Sequence, residues 1–154
     1  MRLKIAEELH EAMIARTNES DCVIMSAAVA DFTLKPSPEK LKRRDGLPEL
    51  HFEPSVDVLA DLVAQRHEGQ VIVGFAAETS NIEQNAREKL RKKHVDLLVV
   101  NDVAAPGVGF EHETNEVLLV DRAEVLTRVS LRSKEAVSWE ILAKVVALLP
   151  QGDS

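Results

Sequence analysis

Aromatic residues are scarce in this sequence: they make up 3% of its 154 residues, and Tyr is missing altogether. Stacking platforms for single-stranded nucleic acid depend on such rings, so that class of function is poorly supported. Positive charge is also in deficit. The formal net charge of -7 argues against non-specific binding to DNA or RNA, which needs a basic face. A small anionic ligand is still admissible, because a local cluster of cations can oppose the global sign. Cysteine is limited to Cys22, so no intrachain disulfide can form, and its place in the apolar run Cys22-Val23-Ile24-Met25 reads as a buried, inert thiol. No apolar run approaches the roughly 20 residues of a membrane helix. The N-terminus shows no long apolar leader, so the expected compartment is the cytoplasm. The six glycines are too scattered for Gly-x-Gly-x-x-Gly or for a Walker-type phosphate loop, which disfavours a standard dinucleotide site. The five histidines show no His-x-x-x-His spacing, and no structural metal site is expected. No Gly-x-Ser-x-Gly nucleophile elbow occurs either.

What is present is an alternation of helical and strand-like segments. Apolar residues at helical spacing predict a first helix over 6–16, and Leu3-Lys4-Ile5 reads as the end of a strand. A short apolar strand follows over 22–26. The stretch 31–54 is irregular, holds four of the six prolines, and contains the basic run Lys40-Leu41-Lys42-Arg43-Arg44. A short strand at 50–52 is expected inside it. Ser55 is the expected N-cap of a helix reaching about Arg66, with Val58, Leu59, Leu62 and Val63 on its apolar face. Further strands are expected over 71–74 and 97–100, with a helix over 81–93 between them. A later pair of strands falls near 117–120 and 125–129, and a closing helix spans 133–149, with Trp139 as a core or interface anchor. Strands of continuous apolar character separated by helices predict one α/β domain over 1–154. The expected architecture is a Rossmann-like, doubly wound, mostly parallel sheet with helices on both faces.

Ligands in such sheets bind beyond the carboxyl ends of the strands. Three segments fall there: Ser26-Ala27-Ala28-Val29-Ala30-Asp31-Phe32, Gly74-Phe75-Ala76-Ala77-Glu78-Thr79, and Val100-Asn101-Asp102-Val103. Small residues after a strand let a ligand approach backbone N–H groups, although they also serve plain tight packing. Lys89 and Lys93 are four residues apart and share a helix face, whereas Arg91 and Lys92 are expected to point elsewhere. Lysines there also complement a helix dipole. The basic run at 40–44 is either a solvated surface or a loop that closes over polyphosphate.

The order Ala-Ala-Val-Ala-Asp-Phe, Lys-x-Lys-Arg, Val-Asp-Val-Leu, Gly-Phe-Ala-Ala-Glu-Thr, Lys-x-x-x-Lys and Asn-Asp-Val resembles the phosphopantothenoylcysteine synthetase half of the bacterial bifunctional coenzyme A biosynthesis flavoprotein, over about residues 3–149. The resemblance implies a ligase that joins 4′-phosphopantothenate to cysteine through a CTP-derived acyl-cytidylate, with Mg2+ accompanying the triphosphate. It places Lys40 on an active-site flap at about 33–48 as the catalytic lysine, with Lys42 next to it and Arg43 replacing the family's last lysine. It assigns nucleotide contacts to Met25, Ser26, Ala27, Asp31, Lys42, Val56, Asp57, Val58, Leu59, Phe75, Lys89 and Lys93. Asn101 falls in a family motif. A homodimer is implied, with the strands after Asp102 as candidates for its interface. The family's glycine-rich first strand-turn-helix and its asparagine-bearing segment have no match here, and no flavin is implied. The alternative reading is a nucleotide-binding or dimerisation module without complete catalysis.

Overall fold

The computed structural model describes residues 5–34, 50–103 and 112–151. Its central sheet has five strands in the order β1-β4-β5-β6-β7. Strands β1 (Cys22–Met25), β4 (Val71–Glu78) and β5 (Leu97–Asp102) are mutually parallel, with Cys22 opposite Val71 and Val73 opposite Leu97. The expected parallel trio is therefore present. Beyond it, β6 (Thr114–Asp121) and β7 (Leu126–Ser133) form an antiparallel hairpin that adds to β5, making the sheet mixed but mostly parallel. A second sheet pairs β2 (Phe32–Leu34) with β3 (Phe52–Pro54), Leu34 opposite Phe52.

Strand alternation explains the continuous apolar runs. Along β5, Leu98 and Val100 pack with Ile72, Leu118 and Val120 under α2 (Val58–Gln65) and α3 (Ile82–Lys93). Leu97 and Val99 point the other way and pack with Val71, Val73 and Val117 under α4 (Lys134–Leu148). Both faces are covered, so neither set of alternate positions can be polar. The first helix, α1 (Ala6–Thr17), packs through Leu9 and Met13 into the α2/α3 side, where His10 Nε2 lies 2.8 Å from Asp61 Oδ2 on α2. Among the described residues no helix is long and apolar enough to cross a membrane.

The structure corrects several local expectations. The N-cap of α2 is Asp57, whose carboxylate accepts from the Ala60 N–H at 3.1 Å. Ser55 instead stays in the connection after β3, where its N–H donates to the Asp31 carbonyl at 2.9 Å. Both residue types cap helices well, so the side-chain preference alone did not separate them. The stretch before that helix contains the unexpected strand β2, and its partner runs from Phe52 rather than from Leu50. Ile5 is the N-cap residue of α1, and residues 1–4 lie outside the described residues. Trp139 is not in the core: it is 67% exposed, on the outward side of α4, while Val137, Ile141 and Val145 face the sheet. Cys22 is half-buried, and burial, then the charge of Asp96, pushes its thiol up.

Helix α3 is bounded by two left-handed residues, Asn81 with φ 48 at its start and His94 with φ 52 at its end. The His94 N–H closes the last turn onto the Leu90 carbonyl at 2.9 Å. Gly74 has an ordinary φ but no room. A Cβ built there would meet Leu59 Cδ2 at 2.9 Å and Leu98 Cδ1 and Val95 Cγ1 at 3.5 Å. The missing side chain lets α2 settle directly onto β4.

Candidate functional site

An open cleft of about 580 Å3 lies at the carboxyl ends of β1 and β4. The last residue of β1, Met25, is buried at its floor with Leu98, and Ala76 continues that floor along β4. Ala27, Val29, Ala30 and Asp31 form one wall, where the chain leaves β1. Ser55, Val56, Asp57, Val58 and Leu59 form the second, made by the approach to α2 and its first turn. Lys89, Lys92 and Lys93 form the third, along one side of α3. Phe75 touches the edge of this cleft, but it is half-buried toward the α4 face of β4, where it packs with Val71 and Val73 and also lines a groove beside Ile141.

The structure thus gathers Met25, Ala27, Asp31, Val56, Asp57, Val58, Leu59, Phe75, Lys89 and Lys93 around one space. Ser26 differs. The strand reverses side with each residue, so its side chain lies in a separate groove of about 360 Å3 on the α4 face, with Ile24 and Leu142. Lys40 and Lys42, the rest of the basic run, most of the flap at 33–48, and Gly107-Val108-Gly109 lie outside the described residues. Lys92 does not point elsewhere, as the four-residue spacing suggested. It lines the cleft three residues after Lys89, a spacing that also shares a face on a helix. Arg91 does turn away, where its guanidinium grips Glu124 through two bonds of 2.6 Å. The amide of Asn101 accepts a 2.7 Å hydrogen bond from Asn115 on β6.

Two carboxylates hold two of the three lysines of this wall, Lys93 and Lys89. Asp57 Oδ2 receives Lys93 Nζ at 2.6 Å, while its other oxygen caps α2. Burial pushes the Asp57 carboxyl up, but the bonds from Lys93 and from the Ala60 N–H, with the charges of Lys93 and Lys92, outweigh it. The group sits below the usual aspartate range. Lys89 Nζ pairs with Glu78 at the end of β4, and Asn85 Nδ2 donates to the other Glu78 oxygen at 2.8 Å. The Lys89 bond is the largest influence on Glu78. Burial opposes it, Asn85 reinforces it, and the carboxyl falls below the usual glutamate range. Glu78 stood in a motif picked out from the sequence, but its part there was missed. Strand alternation and the seven-residue distance to Asn85 were the available signals.

The first turn of α2 leaves N–H groups without intrahelical acceptors, and the helix dipole favours anions there. Across the cleft stand the three lysines of α3. The first turn of α2 and the three lysines thus face one volume, partly offset by the carboxylates of Asp31 and Asp57, within a chain whose net charge is -7. The arrangement suits a polyanion with an apolar end: charge on the rim, Met25, Ala76 and Leu98 below. Among the described residues no cluster of three or more His, Cys, Asp or Glu is placed to hold a metal ion.

Comparison with known proteins follows the same line. A family model described as "DNA/pantothenate metabolism flavoprotein C-terminal domain" matches residues 1–149. The chain is 43% identical over 147 residues to the coenzyme A biosynthesis bifunctional protein CoaBC of Bacillus subtilis (strain 168), covering 95% of this chain and 36% of that relative. It is 36% identical over 148 residues to a cysteine/cysteine sulfinic acid decarboxylase of an unknown prokaryotic organism, covering 96% of this chain and 41% of that protein. The chain therefore spans well under half the length of these curated relatives. Among solved structures, the crystal structure of the C-terminal domain of CoaBC superposes with a TM-score of 0.74 at 30% identity, covering 94% of this chain and 63% of that domain.

Proposed function

This chain belongs to the family of the DNA/pantothenate metabolism flavoprotein C-terminal domain, and on that premise we propose that it is the nucleotide-binding part of a phosphopantothenate–cysteine ligase that uses CTP. The observation that carries the reading is the cleft between the first turn of α2 and the lysines of α3, two positive elements aimed at one space. The two relatives bear different activities in their names, so the chemistry is read from the cleft of this chain. A cationic cleft suits a nucleoside triphosphate. The choice of cytosine rests on the family resemblance.

In the proposed reaction the carboxylate of 4′-phosphopantothenate attacks the α-phosphorus of CTP, and pyrophosphate leaves. Cysteine then attacks the acyl carbon of the resulting acyl-cytidylate, and CMP leaves. A carboxylate is a poor electrophile until one of its oxygens belongs to a good leaving group, and cations where negative charge develops lower that barrier. Lys89, Lys92, Lys93 and the α2 N-terminus would bind and orient the triphosphate. Ala27, Val29 and Ala30 would pack on the nucleoside, with Phe75 at the edge. Mg2+ is commonly held by one or two carboxylates together with substrate phosphates. Asp31 fits that demand, because Asp57 is engaged by Lys93, and the ion would neutralise phosphate charge when bound. Lys40 is assigned to the chemical step from its motif, and Lys42 to the triphosphate. The assembly is proposed as a homodimer.

Calorimetry with CTP and ATP in the presence of magnesium tests the nucleotide site. The expected result is binding that Lys89→Ala weakens by about 10-fold or more, the scale of a charge-assisted contact of about 1.5–3 kcal/mol. Failure to bind either nucleotide would overturn the reading. In a full-length ligase, Lys40→Ala should slow pyrophosphate release by about 10- to 150-fold with little change in CTP affinity. A second reading follows from the 63% coverage of the solved domain: by itself this chain holds nucleotide without completing ligation. Binding without pyrophosphate release would select it.

A further inference from the structure

The carboxylate that grips Lys89 is built into place more firmly than the lysine itself. Glu78 closes β4, its side chain is 11% exposed against 46% for Lys89, and neither Glu78 nor Asn85 lines the cleft. Asn85 and Lys89 stand one turn apart on α3, so both reach the same carboxylate. Asn85 Nδ2 donates to one oxygen at 2.8 Å and also to the Ser80 carbonyl at 3.0 Å, and Lys89 takes the other oxygen. The Glu78 carbonyl accepts from the Val103 N–H at 3.1 Å, which fixes the backbone behind it. We propose that Glu78, aimed by Asn85, is the positioning residue that holds the Lys89 ammonium at the rim of the cleft. The proposal deepens the reading of that cleft as a nucleoside triphosphate site and rests on it. An ammonium has three N–H donors. Glu78 occupies one and leaves the others for phosphate oxygens, so the ligand meets a lysine whose rotamer freedom is already spent.

The test compares variants by magnesium-CTP calorimetry, with ATP as control, and by acetylation of the nucleotide-free chain read by mass spectrometry. Glu78→Ala should weaken CTP by about 5- to 10-fold, the scale of the entropy a free lysine surrenders on being fixed. Glu78→Gln should fall between wild type and Glu78→Ala, because its single amide oxygen can accept from Lys89 or from Asn85 but not from both. In a Lys89→Ala background, adding Glu78→Ala should change nothing, since the two residues then act as one unit. Acetylation of Lys89 relative to Lys92 should rise in Glu78→Ala and Asn85→Ala. Tighter CTP binding without the carboxylate would make Glu78 a competing counter-ion and overturn the proposal. An equal loss with and without Lys89, or unchanged Lys89 acetylation, would reduce Glu78 to a staple between β4 and α3 and also overturn it. If wild type binds neither nucleotide, the ligand reading falls by itself and the acetylation ratio still decides the tether. Should Glu78→Ala fail to fold, Asn85→Ala carries the same comparisons.

Discussion

Asp57 does two jobs with one carboxylate, and the two can be separated by substitution. One oxygen caps α2 and the other meets Lys93 at 2.6 Å. Asn caps nearly as well as Asp, whereas Ala does not cap at all. Asp57→Ala should therefore cost about 1 kcal/mol, or about 2–4 °C in Tm for a chain of this size. Asp57→Asn should lose only the ion pair, which is half exposed and worth little in solvent. The folded pKa of Asp57 lies below its unfolded value. Its charge therefore adds stability above the ordinary aspartate range, and that stability disappears as pH falls through the folded pKa. The small Tm difference between wild type and Asp57→Asn should be largest near about pH 7 and close below about pH 4. A difference that grows on acidification would contradict the assigned direction. Thermal melts across that range are the measurement.

At the scale of elements, the contact between α2 and β4 is set by a missing side chain. Gly74→Ala would place a methyl group 2.9 Å from Leu59 Cδ2. The leucine tip can swing aside, and the open direction is the cleft that Leu59 already lines. The expected cost is about 1–2 kcal/mol, toward the lower part of the range for overpacked cores, together with weaker nucleotide binding as Leu59 intrudes. Urea unfolding and calorimetry on one preparation would report both effects. Most elements were legible in the sequence because buried parallel strands cannot hide their apolar runs: Val71-Ile72-Val73 and Leu97-Leu98-Val99-Val100 declare themselves. The hairpin strand Phe32–Leu34 did not, since its residues are exposed or half-exposed and carry no burial pattern. Lys92 was misplaced because a four-residue rule was applied where a three-residue neighbour also serves. The role of Glu78 depends on a strand meeting a helix; strand alternation and the seven-residue distance to Asn85 hint at that meeting, but only the packed structure shows it.

For the whole molecule, the two faces of the sheet are unequally clothed. Three helices serve one side, while α4 alone serves the other and leaves Ile24, Leu142 and Val146 exposed together with Trp139. Trp139 is the single tryptophan, so it reports on that side without interference. Its emission in the isolated chain should be that of a wetted indole, readily quenched by acrylamide. A blue-shifted, protected signal at low concentration would contradict the outward placement of α4's Trp139. Protection that appears only as concentration rises would instead mark self-association through this side, which the proposed homodimer allows.

The left-handed residues at both ends of α3 give that helix a fixed phase. With Asn81 and His94 each committed to positive φ, the twelve residues between them form a counted interval, and their rotation about the axis cannot drift. One extra alanine between Glu88 and Lys89 would turn everything downstream by about 100°, carrying Lys89, Lys92 and Lys93 off the cleft together. Nucleotide binding should be lost, and Tm should fall with it, because the same turn takes the buried Leu90 off the core. In this fold the number of residues in α3 is as much a part of the site as their identities.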